Sequence, residues 1–167
     1  MVRKVRVHDP ERKDTRMTAQ RFLVPVDFSE DANQAVQYAI DLASKLGARL
    51  TLLHVIQLLP LGSGDMSVTV PYTYFQELEA DITSRMQAYL ERVTAGGLEG
   101  EIAVVHGVPF QEILETAKTQ QVDLIVMGTH GRTGLQHVLM GSVAEKVVRL
   151  APCPVLVVRQ PPGVPIS

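Results

Sequence analysis

Short apolar segments alternate with amphipathic segments along the chain from residue 21 onward. Five of these apolar runs predict β-strands, because each is short and almost free of charged residues. The predicted strands are Phe22–Asp27, Arg49–Ile56, Glu101–His106, Val122–Met127 and Pro154–Val158. Strands that are apolar on both faces are typical of a parallel sheet covered by helices on both sides.

Helical periodicity fills the intervals between the predicted strands. Ser29 is the expected N-cap of the first helix, and Gly47 is the expected glycine at its end. The second helix is expected to include Phe75–Val93, and Pro109 suits the first position of the third. The fourth helix is predicted at Ser142–Leu150.

This alternation predicts an α/β fold with a five-stranded, doubly wound parallel sheet in the order 3-2-1-4-5. Strands one and four are then neighbours, and the direction of winding reverses between them. Ligands of open α/β sheets bind at that switch point, beyond the carboxyl ends of the strands. The residues after strands one and four are therefore candidates for a binding site. The long loop predicted at residues 57–73 is a candidate lid.

Composition indicates one globular domain in a reducing compartment. The 167 residues are 46% hydrophobic and have a formal net charge of −2. No apolar run approaches the roughly 20 residues that cross a bilayer, so we expect no membrane partner. Cys153 is the only cysteine, which excludes an intrachain disulfide and favours the cytoplasm.

Charge divides the chain into a basic leader and an acidic body. Residues 1–20 contain six basic and three acidic side chains, and we expect them to form a flexible extension. The remaining residues contain ten basic and fifteen acidic side chains, a balance unsuited to nucleic-acid binding. We therefore expect a single domain at residues 21–160, a tail at 161–167 and no nucleic-acid partner.

A glycine-rich segment follows predicted strand four. It contains Gly128, Gly131 and Gly134, and it ends at Gly141 and Ser142, where the fourth helix begins. Glycines let a backbone approach a ligand closely, and a helix N-terminus presents N–H groups that suit phosphate. A flexible loop before an ordinary helix start fits the same pattern. Neither a P-loop nor the G-x-G-x-x-G dinucleotide fingerprint is present.

Asp27, at the end of strand one, has two interpretations. A carboxylate there can accept hydrogen bonds from the donors of a ribose or an adenine. It can also stabilise the turn into the first helix. Arg132, within the glycine-rich segment, either contacts a phosphate or is a solvated charge.

Several separate motifs together resemble the universal stress protein family. The spacing Gly128-x2-Gly131-x9-Gly141-Ser142 is similar to that family's ATP-binding pattern, G-x2-G-x9-G-[S/T]. Residues 24–29, 53–55, 122–131 and 152–158 resemble its first, second, fourth and last strands with their adjoining turns. The resemblance covers about Arg21 to Arg159. It implies a Rossmann-like fold of the adenine nucleotide alpha hydrolase type.

The resemblance further implies the ATP-binding branch of that family, with ATP as ligand and Mg²⁺ as an optional companion on the phosphates. The implied residues of the nucleoside side are Pro25, Val26, Asp27, Val55, Met127 and Gly128. Those of the phosphate side are Gly131, Gly141, Ser142 and Val143, with Arg132 as a further candidate. No residues have the spacing typical of zinc ligands, and we expect no metal held by the protein itself.

Three functions remain open from the sequence. Residues 128–144 contain no Asp or Glu to orient an attacking water, so the pattern supports binding of ATP better than its hydrolysis. A nucleotide-dependent regulator or sensor in the stress response is the first function, and a slow ATPase or phosphotransferase is the second. The third is an interaction scaffold without nucleotide, which the intact glycine pattern disfavours.

The last strand predicts a self-association surface. Val155–Val158 is expected at the edge of the sheet, without a charged residue to prevent pairing with another strand. The resemblance implies dimers through this strand. We therefore expect a symmetric homodimer, and in addition a protein partner that the sequence does not identify.

Overall fold

The computed structural model describes residues 20–57, 72–129 and 140–159. Strands and helices alternate through these ranges. The elements are β1 (Arg21–Pro25), α1 (Glu30–Leu46), β2 (Arg49–Ile56), α2 (Tyr72–Ala95), β3 (Gly100–His106), α3 (Pro109–Thr119), β4 (Leu124–Gly128), α4 (Ser142–Leu150) and β5 (Val155–Val158). The predicted leader, apart from Gln20, and the predicted tail lie outside the described residues.

The strands form one parallel sheet in the order β3-β2-β1-β4-β5, which confirms the predicted fold class and strand order. In the register, Val24 of β1 is opposite Leu52 of β2, and Leu23 is opposite Ile125 of β4. The switch point therefore lies between β1 and β4. None of the described helices combines the length and the hydropathy that crossing a membrane requires.

Two hydrophobic cores cover the two faces of the sheet. Leu52 packs with α1 and α2 on one face, and its neighbour Leu53 packs with α3 and α4 on the other. Alternate residues of a strand point to opposite faces, so a strand covered on both sides must be apolar throughout. This double burial explains the nearly continuous apolar runs of the sequence.

α1 begins and ends at the predicted residues. The side chain of Ser29 accepts a hydrogen bond from the Ala32 N–H at 3.2 Å, and Glu30 and Asp31 occupy the first turn, where the helix dipole favours acids. Gly47 follows the helix with a φ of 66°, a left-handed conformation that glycine adopts without strain. Both predicted caps are confirmed.

Strand boundaries correct the sequence analysis by one or two residues. β1 ends at Pro25 rather than Asp27, because the chain turns immediately afterwards, and Phe28 has a φ of 65°. β4 begins at Leu124 rather than Val122. Asp123 is used instead to hold the amino end of β1, since its Oδ2 accepts hydrogen bonds from the Gln20 and Arg21 N–H groups at 3.0 Å.

β1 also begins one residue earlier than predicted, at Arg21, and β4 ends one residue later, at Gly128. Further boundary corrections concern three elements. β3 begins at Gly100, one residue before the prediction, and β5 begins at Val155, one residue after it. Pro154 has no N–H to donate, although its carbonyl accepts a hydrogen bond from the Ile125 N–H at 3.0 Å. α2 begins at Tyr72, so the predicted loop of residues 57–73 is too long at that end. Residues 58–71 of that loop lie outside the described residues.

Candidate functional site

A cleft of about 810 Å³ opens at the carboxyl ends of the central strands. Its walls come from the ends of β1, β2 and β4 and from parts of α2, α3 and α4. Its volume is typical of sites that enclose a small organic molecule. The predicted site residues that line it are Pro25, Val26, Asp27, Val55, Met127, Gly128, Gly141, Ser142 and Val143. The other two, Gly131 and Arg132, lie outside the described residues.

Asp27 stabilises the turn between β1 and α1. Its Oδ1 accepts hydrogen bonds from the Ser29 N–H at 3.0 Å and from the Ser29 hydroxyl at 2.5 Å. The local role considered for Asp27 is therefore observed. A carboxylate offers about four lone-pair positions over two oxygens, so this role is compatible with contact to a ligand in the cleft.

Val26 contributes shape to the cleft and has its backbone engaged within the protein. Its side chain is buried, and its N–H donates to the Leu53 carbonyl at 2.8 Å. Its carbonyl oxygen lies 2.6 Å from Nδ1 of His54. Because a carbonyl only accepts, Nδ1 of His54 is the protonated nitrogen. His54, 2% exposed, is thus a hydrogen-bonded core histidine.

An aromatic and cationic cluster lies against the turn at Asp27. The rings of Phe28 and His54 are stacked, with centroids 4.6 Å apart and an interplanar angle of 30°. Arg85 of α2 places its Cζ atom 3.7 Å from the centroid of the Phe28 ring. Phe28, His54 and Arg85 all line the cleft, together with Asp81 of α2.

The sequence analysis did not assign these residues to the site. Side chains alternate along β2, so His54 lies on the face covered by α1 and α2. The strand pattern could therefore have predicted which face His54 occupies. Nothing in the sequence indicates the left-handed conformation of Phe28, because bulky residues rarely adopt it. The contact with Arg85 depends on how α2 crosses the sheet.

The first turn of α4 presents backbone donors to the cleft. Gly141 is its N-cap, with φ −68° and ψ 153°, and no side chain of the described residues caps the helix. The first backbone bond of the turn runs from the Glu145 N–H to the Gly141 carbonyl at 2.9 Å. The preceding N–H groups therefore have no partner within the helix, and Ser142, Val143 and Ala144 line the cleft. This arrangement suits an anionic ligand.

Thr129 joins the ends of β4, α4 and β5. Its carbonyl accepts a hydrogen bond from the Gly141 N–H at 2.8 Å. Its own N–H and hydroxyl both donate to the Val158 carbonyl, at 3.1 Å and 3.0 Å. Thr129 is buried and was not among the predicted site residues. It fixes the start of α4 relative to the sheet.

Gly128 has a structural requirement that the sequence analysis did not foresee. The sequence suggested that its missing side chain makes room for a ligand. A Cβ atom at this position would lie 2.8–2.9 Å from backbone and side-chain atoms of Asp31 in the first turn of α1. Glycine is therefore needed at this position for helix packing, whatever ligand the cleft holds.

Charged side chains around the cleft are few. Among the described lining residues, Asp27, Asp81 and Arg85 are charged. Within the same part of the chain, no three His, Cys, Asp or Glu side chains are grouped to hold a metal ion. Cys153 lies away from the cleft, half-buried before β5, and burial raises the pKa of its thiol above the ordinary value.

Comparison with known proteins agrees with this architecture. The universal stress protein family matches residues 18–159, a range that includes every described residue. The chain belongs to the universal stress protein family. Universal stress protein MJ0531 of Methanocaldococcus jannaschii is 35% identical to it over 147 residues, which are 85% of this chain and 83% of that relative.

Solved structures extend the comparison of this universal stress protein to three dimensions. The structure of protein MJ0577 matches with a TM-score of 0.72 and 29% identity, covering 87% of this chain and 99% of that one. The organism of MJ0577 is Methanocaldococcus jannaschii. Another universal stress protein, solved in complex with cAMP, matches with a TM-score of 0.64 and 25% identity, covering 84% of this chain and 97% of that one.

Proposed function

We propose that this universal stress protein binds ATP in the cleft and acts as a nucleotide-dependent regulator or sensor in the stress response. The observation that supports it most is the first turn of α4, whose backbone donors line the same cleft as the Asp27 carboxylate. The N–H groups would bind the phosphates of a nucleotide, and the carboxylate would accept hydrogen bonds from its hydroxyl or amino groups.

The triphosphate is proposed to lie at the amino end of α4. Backbone N–H groups of Ser142 and Val143, with the Ser142 hydroxyl, would donate to phosphate oxygens, and the positive end of the helix dipole favours the negative charge. Gly131 and Arg132 belong to the proposal as phosphate contacts through the glycine pattern alone. Mg²⁺, where present, would be held mainly by the phosphates and water.

The adenosine is proposed to lie over the ends of β1, β2 and β4. Pro25, Val55 and Met127 supply apolar surface there, and Asp27 would accept hydrogen bonds from the ribose or the adenine. The relative solved with cAMP supports this choice, because its ligand contains adenosine and phosphate.

A regulator fits the residues of the cleft better than an efficient ATPase does. Hydrolysis needs an oriented water and stabilised charge, and the carboxylates of the described lining are Asp27 and Asp81. Asp27 already accepts two hydrogen bonds from Ser29. Slow turnover, as in an ATPase or phosphotransferase, is the second candidate function.

The regulator is proposed to act as a symmetric homodimer paired through β5. Among the described strands, β5 is bonded to β4 alone, and its other edge consists of the valines and leucine of Val155–Val158. An apolar edge of this kind tends to pair with another strand. Location in the cytoplasm and a separate protein partner stay predictions of the sequence analysis.

Nucleotide binding is tested directly on the purified full chain. Mass analysis of released small molecules is followed by calorimetric titration of the stripped protein with ATP, cAMP and adenosine, with and without Mg²⁺. We expect a micromolar dissociation constant for ATP, about −8 kcal/mol, and at least roughly tenfold weaker binding of adenosine. Equal affinity for ATP and adenosine would contradict the phosphate site, and steady phosphate release would favour the ATPase.

A further inference from the structure

One side chain, His54, contacts the residues on both sides of Asp27. Its Nδ1 donates to the Val26 carbonyl at 2.6 Å, and its ring stacks on Phe28 with centroids 4.6 Å apart. Val26 is also held by its N–H bond to the Leu53 carbonyl. The backbone before and after Asp27 is therefore fixed to β2.

Phe28 has a strained backbone conformation, and contacts of its ring help to maintain it. A φ of 65° places Phe28 in the left-handed region, which is unfavourable for a bulky side chain. Strained residues persist where surrounding contacts compensate, and they are concentrated at functional sites. The stack on His54 is one such contact. Without the ring, the stack that links the residue after Asp27 to β2 is lost.

Two residues of α2, Arg85 and Tyr89, also contact Phe28. The Arg85 guanidinium lies over the Phe28 ring, with Cζ 3.7 Å from the centroid. The Tyr89 ring lies 6.0 Å from that of Phe28, and its hydroxyl donates to Asn33 Oδ1 at 2.5 Å, so α2 is also bonded to α1. The Phe28 ring thus has neighbours on β2 and on α2.

We propose that His54 and Phe28, with Arg85, form a clamp that positions the Asp27 carboxylate for the nucleotide. The proposal rests on the proposed function, since it names the residues that orient its acceptor. A carboxylate held in place before binding loses less conformational freedom when it bonds a ligand. Phe28 is then a positioning residue, and its loss reduces the ability of Asp27 to distinguish a ligand with the matching donor from one without it.

The test compares ATP with two analogues, 2′,3′-dideoxy-ATP and purine riboside triphosphate, which lack the ribose hydroxyls and the 6-amino group respectively. We expect the wild-type protein to bind one of them roughly 10- to 100-fold more weakly than ATP, the factor typical of a hydrogen bond to a charged group. The variant Asp27→Ala, which removes the acceptor, is expected to abolish that discrimination and so to assign it to Asp27.

Phe28→Gly is the decisive variant. Glycine adopts the left-handed conformation freely, so the turn can form, but the ring and its contacts are absent. We expect the discrimination between ATP and the assigned analogue to fall below roughly threefold, while Phe28→Tyr retains it. Tyr38→Ala, at a position 52% exposed on α1, is the matched aromatic control and is expected to behave as wild type.

Arg85→Met gives a second test at an exposed position and is expected to reduce the discrimination in part.

The outcomes separate the clamp from the site itself. Wild-type protein that binds no nucleotide would overturn the proposed function, and the clamp with it. Wild-type discrimination that survives Asp27→Ala, or is retained in full by Phe28→Gly, would overturn the clamp alone. If Phe28→Gly does not fold, as judged by circular dichroism, Arg85→Met decides: unchanged discrimination there overturns the clamp. A uniform weakening of all ligands by Phe28→Gly would indicate lost surface rather than positioning, and also overturns it.

Discussion

Gly128 of β4 lies so close to Asp31 of α1 that a Cβ atom at position 128 would be 2.8 Å from the Asp31 carbonyl carbon. Gly128→Ala must therefore push α1 away from the sheet. We expect the substitution to lower the free energy of unfolding by about 1–3 kcal/mol, the usual effect of overpacking. Urea denaturation without nucleotide measures it. Ser44→Ala, at an exposed position on the same helix, is the control and should change stability by less than about 0.5 kcal/mol. Equal stability of the two variants would contradict the packing requirement.

Ser142 provides a way to remove a single backbone donor from α4. Proline is tolerated at the first position of a helix, and the preceding Gly141 has the extended ψ of 153° that a following proline requires. We expect Ser142→Pro to weaken ATP binding by about 1.5–3 kcal/mol, since a donor to a charged phosphate is lost.

Ser142→Ala separates the hydroxyl from the N–H in that experiment. Its expected effect is about 1 kcal/mol, because only the hydroxyl is removed. Titration with adenosine, which has no phosphate, is the second control. Neither Ser142→Pro nor Ser142→Ala should change the affinity for adenosine. If Ser142→Pro binds ATP as well as wild type, the phosphates do not lie at the start of α4.

Val157 tests the proposed dimer. The carbonyls of Pro154 and Val158 accept hydrogen bonds from Ile125 and Thr129, so the backbone of Val157, between them, faces away from β4. Val157→Pro removes the outward N–H and leaves the bonds to β4 intact. We expect this variant to be monomeric by light scattering and Val157→Thr to remain a dimer. A dimeric proline variant would show that the subunits associate elsewhere.

Alkaline pH is expected to destabilise the fold. Burial raises the pKa of Tyr89 above its ordinary value of 10.0, despite the nearby Arg92 and Arg85, and burial raises that of Cys153 above its ordinary 9.0. A raised pKa means that the neutral group is favoured in the folded state. This contribution to stability is complete below the ordinary pKa and is lost as pH rises through the folded-state pKa.

Denaturation at a series of pH values between about 8 and 11 measures that effect. We expect the free energy of unfolding to decline over this range. The double variant Tyr89→Phe, Cys153→Ser should show a shallower decline, whatever its stability at neutral pH. The same slope in both proteins would mean that other groups are responsible.

The fold was predictable because its determinants are local. Apolar runs, the Ser29 cap and Gly47 give the elements, and the short strands leave few ways to order a parallel sheet. Asp27, Gly141 and Ser142 were found for the same reason: they follow predicted strands or begin a predicted helix at the switch point. The strand boundaries were wrong at Val26 and Val122 because both side chains are buried although neither residue belongs to a strand. Hydrophobicity alone does not distinguish such residues from the strand itself.

The rest of the site depends on contacts that spacing does not encode. Arg85 reaches Phe28 because α2 packs against β2 and β3, and Thr129 is bonded to Gly141, twelve residues further along the chain. The packing role of Gly128 depends on the approach of α1. Each relation joins residues that are distant in sequence and carry no mutual pattern.

The hydrogen bond between Thr129 and Gly141 has a consequence for how this site can diversify. It joins the residue after β4 to the N-cap of α4, so the start of the helix is held directly to the sheet. Insertions, deletions or exchanged sequences between these two residues would leave the helix start and its donors in register.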